Sequence, residues 1–287
     1  MSRNNREIEL YPTALTIAGS DSGGGAGIEA DLRTFNAFGV YGCVALTAVT
    51  SQNPLEVRRV DPVPAAGVRC QIETVMDRIP VRFAKSGMLC DAAIVDVVAE
   101  VVEARGLRLV CDPVMVSTSG VKLLADDAVE RMRNRIIPAA DWVTPNIPEA
   151  ELLLGRRLAG ADDYRDAALE CYERWGVSVL LKTGHARGGG KSAVDFVCRD
   201  GEVYQLSSPR IPDAAAASHG TGCTLSAALA AAFALELPWE QALCEAKGFV
   251  LGSLREAVWI APEIPAMYPP VEDSVGQVRL EPATEVH

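Results

Sequence analysis

The chain has 287 residues, 49% apolar and 23% charged, enough to bury a sizeable core in one large α/β domain or two small ones. A net charge of −11 repels phosphate backbones and anionic lipid, which disfavours nucleic acid and membrane surfaces as partners while leaving room for a small anionic ligand in a local pocket. The start MSRNNREIELYP lacks the apolar segment of a signal peptide, and the richest apolar run, Leu225–Leu237, is too short and too alanine-rich to span a bilayer, so a cytoplasmic protein is expected.

Apolar, β-rich runs alternate with runs of helical period along most of the chain. Ala14–Ala18 reads as a buried strand, Gly27–Phe38 as a helix and Val44–Val49 as a second strand. A helix is expected over Asp91–Arg105, a strand over Leu107–Cys111, a helix over Asp126–Ile137 and a short strand over Asp141–Thr144. Glu149–Leu154 and Tyr164–Trp175 read as helices around the apolar strand Val177–Leu181 that follows them. Ala193–Val197 and Glu202–Leu206, joined by CRDG, have the turn chemistry of a hairpin. Gly222–Leu235 and Trp239–Val258 complete the series as helices. This alternation implies an α/β fold: a central, mostly parallel sheet flanked by helices on both faces. The expected organisation is an N-terminal extension over 1–12, one domain over 13–261, and a proline-rich, then acidic tail over 262–287 lying on the surface or disordered.

Ligands of open parallel sheets bind beyond the carboxyl ends of the strands, so the segments there are the place to look. They are GSDSGGGAGIEAD (Gly19–Asp31), DPVM (Asp112–Met115), TPNIPEAE (Thr144–Glu151), KTGH (Lys182–His185) and SHGTGCTLS (Ser218–Ser226). The first has neither the GK[ST] ending of a P-loop nor the dinucleotide glycine spacing; it reads as a tightly turned loop over a small ligand, with Asp31 a turn beyond it as a hydrogen-bonding group. In the last, Gly220, Thr221 and Gly222 open a long apolar helix, where free backbone N–H groups and the helix dipole make an anion hole for a developing phosphoryl charge. Cys223, in the first turn, is expected to have its thiol pKa lowered by the same field and to act as a base or polar contact. Asp112 and Glu149 each follow a strand and together suit magnesium held partly through water, although each alone reads equally as an ordinary strand-end or first-turn acid. Lys182 can reach nucleotide phosphates, with Thr183 beside it, and Asn146 is a positioned loop polar group for phosphate or metal-bound water. His185 and His219 read as hydrogen-bonded loop residues. The eight cysteines (Cys43, Cys70, Cys90, Cys111, Cys171, Cys198, Cys223 and Cys244) form no CxxC pair and read as reduced thiols, mostly buried, with no zinc site.

Taken in order, LTIAGSDSGGGAGIEADLRTF, TAVTSQNP, KSGML, CDPVM, TPNIPEAE, LLKTGH and SHGTGCTLSAALAA resemble the hydroxymethylpyrimidine/phosphomethylpyrimidine kinases of thiamine synthesis from about Ala14 to Val250. The resemblance implies a ribokinase-like fold with little or no lid, ATP and Mg2+ as cofactors, and a pyrimidine alcohol phosphorylated on its hydroxymethyl group and then on the phosphate. It further implies a pyrimidine pocket lined by Gly19, Asp31, Gln52, Met88 and Val114, with Asp31 and Gln52 reading ring nitrogens and the exocyclic amine, and a homodimer. Members usually carry Ile at Ser86, Gly at Thr183 and Gln at Glu29, and end in a glycine-rich segment that this tail does not match; RGGGK (Arg187–Lys191) reads as a flexible insertion near the nucleotide. Other readings are a pyridoxal/pyridoxine kinase, a non-catalytic pyrimidine-binding protein on the same fold, and a sugar kinase, the last disfavoured because Cys223 stands where sugar kinases have an aspartate.

Overall fold

The computed structural model describes residues 10–115, 126–184, 190–212 and 217–283. Their centre is a ten-stranded sheet. Its parallel part is made of β1 (Thr13–Ser20), β2 (Tyr41–Asn53), β4 (Phe83–Ser86), β5 (Arg108–Cys111), β6 (Trp142–Val143) and β7 (Ser178–Leu181). Antiparallel strands extend both ends: β3 (Glu56–Pro62) pairs with β2, while β8 (Ser192–Arg199) and β9 (Glu202–Pro209) form the expected hairpin beside β7.

Buried on both faces, the parallel strands are apolar at nearly every position, and successive side chains serve opposite layers. Leu15, Ile17, Leu109 and Val179 pack under α2 (Ala65–Met76), α3 (Ala92–Arg105), α4 (Asp126–Arg131), α5 (Ile147–Leu154) and α6 (Ala161–Trp175). Ala14, Val110, Trp142 and Leu180 face the other layer, formed by α1 (Gly27–Ala37), α7 (Thr221–Ala234) and α8 (Trp239–Arg255). In α7 every residue from Thr224 to Phe233 is buried, and its alanines let it lie close against the sheet and α8.

The helix expected over Asp126–Ile137 is α4 continued by a π-turn, Met132–Ile136. The one expected to run to Val258 stops at Arg255, and Val258–Ala261 instead forms β10, paired with β11 (Ile264–Ala266). The tail differs most from expectation. Arg279–Pro282 is a strand, β12, that pairs antiparallel with β9, so residues beyond Ala261 complete the sheet edge instead of lying apart from it. Leu280 and Val278 pack into the α7–α8 layer, which gives the segment an apolar reason to dock. No helix among the described residues is long and apolar enough to cross a membrane, and all eight cysteines are free, five of them buried.

Candidate active site

Strands β1, β5, β6 and β7 deliver their carboxyl ends to one edge, and the first turn of α7 arrives at the same place. A side-chain carbon at Gly222 would lie 3.2 Å from Lys182 Nζ and 3.9 Å from Asp112 Oδ2. The helix start therefore lies directly against the charged groups that end β5 and β7.

On this side Asp112 is the hub. Its carboxylate accepts from Lys182 Nζ at 2.7 Å, Ser226 Oγ at 3.1 Å and Thr144 Oγ1 at 3.3 Å. Burial opposes the charge of Asp112, but Lys182 and Lys85 overcome it and hold the carboxyl below its ordinary range. Glu149 is pushed up to about 7, first by burial and further by the charge on Asp112, against the pull of Lys182. Asn146 starts α5 through a capping box: its side chain accepts from Glu149 N at 2.9 Å, and Glu149 Oε2 accepts from Asn146 N at 2.8 Å. Asn146 and Glu149 thus fix each other at the helix start. Two buried carboxylates on one edge, Asp112 and Glu149, suit a magnesium ion held through water and phosphate oxygens, whose charge would favour the ionised form of Glu149. No group of three or more His, Cys, Asp or Glu side chains suited to a metal ion occurs among the described residues.

The other side is built from the glycine-rich loop. Asp21 Oδ1 accepts from Gly23 N at 2.8 Å, and Oδ2 from Ala26 N at 2.9 Å and Gly25 N at 3.1 Å. Oδ2 also meets His219 Nε2 at 2.9 Å, tying this loop to the turn before α7. Burial works against the Asp21 charge, but His219 and the loop amides outweigh it, so the carboxyl lies below its usual range. Glu29 braces the same loop from α1, accepting from Ser20 Oγ at 2.6 Å and Asp21 N at 2.8 Å. Gly220 has φ 81°, and any Cβ there would collide with Gly25 O, so the turn requires glycine on both counts. At Gly19 a Cβ would meet only the terminal methyl of Met88, a flexible side chain that could move aside, so the demand for glycine is weaker there.

Cys223 sits in the first turn of α7. Its thiol is raised to about 11, not lowered as expected: burial outweighs the Lys85 ammonium, and Asp112 and Asp31 push the same way as burial. At neutral pH it is a thiol, suited to hydrogen bonding more than to proton abstraction.

Asp31 also departs from expectation. It is completely buried, with both oxygens taken by Lys85 Nζ (2.8 and 3.0 Å) and one by Thr16 Oγ1 (2.6 Å), so it is not a free acceptor facing the cleft. Thr183 is buried too; its hydroxyl donates to Val194 O, which occupies it in the hairpin instead of at a nucleotide. Met88 is 8% exposed, and Val114, half-buried after β5, borders the same core. Gln52 lies on the β2 bulge, where its backbone N and O bond to Ser22 Oγ at 2.8 and 2.7 Å and bring it against the glycine-rich loop. His185 and most of RGGGK fall outside the described residues. Sequence reasoning missed Asp21, Lys85 and Ser226 as site residues. Asp21 had a signal, an acid followed by glycines whose free amides it can gather, and Ser226 lies one helical turn after Gly222.

The parallel sheet, with a phosphate-ready helix start at its edge, is shared by several nucleotide-binding folds, and the match to known kinases places this one among the ribokinase-like small-molecule kinases. The phosphomethylpyrimidine kinase model matches residues 21–266, and the chain belongs to that family. It is 42% identical over 85% of its length to a hydroxymethylpyrimidine/phosphomethylpyrimidine kinase of Rhizobium meliloti, 91% of which is covered. It is 41% identical, again over 85% of its length, to the thiamine biosynthesis bifunctional protein ThiED of Geobacter sulfurreducens, and spans 49% of that relative. Among solved structures, the pyridoxal kinase of Staphylococcus aureus in complex with AMP-PCP and pyridoxal superposes with a TM-score of 0.84 at 30% identity, over 96% of this chain and all of that one.

Proposed function

We propose that the protein transfers the γ-phosphoryl group of ATP to the hydroxymethyl group of 4-amino-5-hydroxymethyl-2-methylpyrimidine, and then to the resulting monophosphate, giving the diphosphate used in thiamine synthesis. The observation that carries the reading is the convergence of Lys182, Asp112 and the first turn of α7 on one point. There the Gly222 and Cys223 amides, too early in the helix to have intrahelical partners, face developing phosphoryl charge, and Lys182 neutralises it. Magnesium would be held by Asp112 and Glu149 through water, and when bound with the nucleotide it supplies further charge neutralisation. Gly19, Met88, Val114 and Gln52 form the wall for the pyrimidine ring, with the Gln52 amide reading its polar edge. Cys223 donates a hydrogen bond from its thiol beside the transferred group. Catalysis is then positioning and charge stabilisation, with little demand on a strong base. A homodimer and a cytoplasmic location belong to the same reading.

A pyridoxal kinase is the second reading, favoured by the close superposition on a protein solved with pyridoxal. Identity of 42% to the pyrimidine kinase of Rhizobium meliloti, against 30% to that enzyme, favours the pyrimidine. The deciding experiment is ATP-to-ADP conversion with magnesium and hydroxymethylpyrimidine, followed to the diphosphate, with pyridoxine in parallel. Sequential mono- and diphosphate formation is the expected result. Strong preference for pyridoxine would move the protein to the second reading, and pyrimidine binding without turnover would make it a binding protein.

A further inference from the structure

Strand β7 ends in an unusual way. Its antiparallel ladder with β8 runs Val179↔Cys198, Leu180↔Val197 and Leu181↔Phe196, a register that would next pair Lys182 with Asp195. That pair does not form. On its other side Lys182 keeps the parallel register of Trp142↔Ser178 and Val143↔Val179, bridging Asn146 and giving its N–H to Pro145 O at 2.8 Å. The next two amides are left without a strand. Asp195 replaces it: Oδ1 accepts from Thr183 N and Gly184 N, both at 2.8 Å, and Oδ2 accepts from Lys247 Nζ of α8 at 2.6 Å. Both members of the pair are buried, with side chains 8% and 7% exposed.

A buried ion pair is poor value as pure stabilisation, since apolar residues of similar size generally do as well. Here the carboxylate does what an apolar residue cannot. It satisfies two consecutive amides, one buried and one part-buried, at the point where pairing with β8 ends. This is the turn directly after Lys182, whose ammonium meets Asp112 and the start of α7.

We infer that Asp195 and Lys247 are positioning residues for phosphoryl transfer: the Lys247-neutralised carboxylate of Asp195 clamps the turn after β7 and so sets where the Lys182 ammonium meets the nucleotide phosphates. The inference rests on the proposed role of Lys182. Lys247 lies in the middle of α8, and its ammonium reaches this turn through Asp195.

The test is steady-state kinetics of the full-length enzyme with hydroxymethylpyrimidine and ATP, with thermal midpoints measured on the same preparations. Lys247→Met and Asp195→Asn are expected to raise KM for ATP and lower kcat/KM for ATP by about tenfold, leaving KM for the pyrimidine within about twofold. Lys247→Arg, which keeps the charge, is expected to recover most of the loss. Lower thermal midpoints with unchanged KM for ATP in all three would show a merely structural pair and overturn the inference. If Asp195→Asn does not fold, the contrast between Lys247→Met and Lys247→Arg decides by the same readout. Lys182→Ala is the control: if it leaves KM and kcat for ATP unchanged, the nucleotide role of Lys182 fails and the inference falls with it. A strong Lys182→Ala defect beside kinetically silent Lys247 and Asp195 variants overturns the positioning role alone.

Discussion

Two buried lysine–aspartate pairs stand side by side in this protein and do different things. In Lys85–Asp31 both side chains are wholly out of solvent, and the carboxylate is saturated by the ammonium and Thr16. In Lys182–Asp112 the lysine keeps 10% exposure, and its ammonium lies against the start of α7. Each ammonium is held above its ordinary pKa by its aspartate despite the opposing effect of burial, but burial raises the Asp31 carboxyl whereas Asp112 is held below its ordinary range by the lysines. What also differs is spare capacity. The sealed pair has no acceptor to offer a ligand, whereas the open one lies where phosphate would arrive. A lysine's role here is set by what its remaining protons face more than by the partner it already has.

Substitutions can break that contrast, starting with the largest effect. Lys85→Met leaves Asp31 buried and unpaired, and urea unfolding is expected to show a loss of about 3–5 kcal/mol, with much of it recovered when Asp31→Asn is added. If the single change cost nothing, the pair would not be sealed in the sense described. Lys182→Met should instead cut kcat by about 10²–10³-fold, the scale of losing one donor to transition-state charge, and move the urea midpoint less than Lys85→Met does, because the buried Asp112 keeps Ser226, Thr144 and the charge of Lys85. Equal stability losses in the two variants would erase the distinction. Cys223 responds electrostatically to both lysines, and Cys223→Ala should lower kcat by about tenfold, the value of one hydrogen bond, with KM for the pyrimidine little changed. Cys223→Ser should keep more of the rate, because a donor and not a strong base is what the position supplies.

The smallest effect concerns Asp21, an acid stabilised by amides and His219 with no lysine. Its folded pKa is depressed, so its contribution is present above the unfolded value near 4 and is lost as pH falls through the folded one. Asp21→Asn should cost about 1 kcal/mol at pH 7 and weaken the dependence of stability on pH below about 4, as read by urea midpoints from pH 2 to 7.

Elements whose burial is conventional were legible in the sequence. The apolar strands β1 and β7, the β8–β9 hairpin and helix α7 were all visible, because period and turn chemistry report directly on such segments. Strand β4 was not, and its residues show why. Phe83–Ser86 reads FAKS, and the lysine that breaks its apolar run is buried only because Asp31, 54 residues away, neutralises it. Strand β3 hid for a different reason: EVRRVDP is an exposed edge with little apolar content, and α2 began after a proline with no capping side chain. At the candidate site, Gly220, Gly222, Lys182 and Asp112 lie together at the sheet edge, where their places in the strand-end segments put them. Residues whose assignment depended on a distant partner were not legible: Asp31 was assigned to the ligand although Lys85 holds it, and Asp195 and Lys247 went unnoticed. The Cys223 shift was expected in the wrong direction because a helix field is visible in a sequence while depth of burial is not.

Strand β12 has a consequence for handling the molecule. By pairing with β9 it covers a row of backbone donors and acceptors that would otherwise form an open margin of the sheet. Its own outer margin is short, begins with Arg279 and ends with Glu281 and Pro282, features that discourage a further strand from adding. Shortening the chain before Arg279 would therefore exchange a guarded border for the longer, unguarded one of β9. Self-association of the shortened protein is the expected outcome, by the same edge-to-edge pairing that natural sheets are built to avoid.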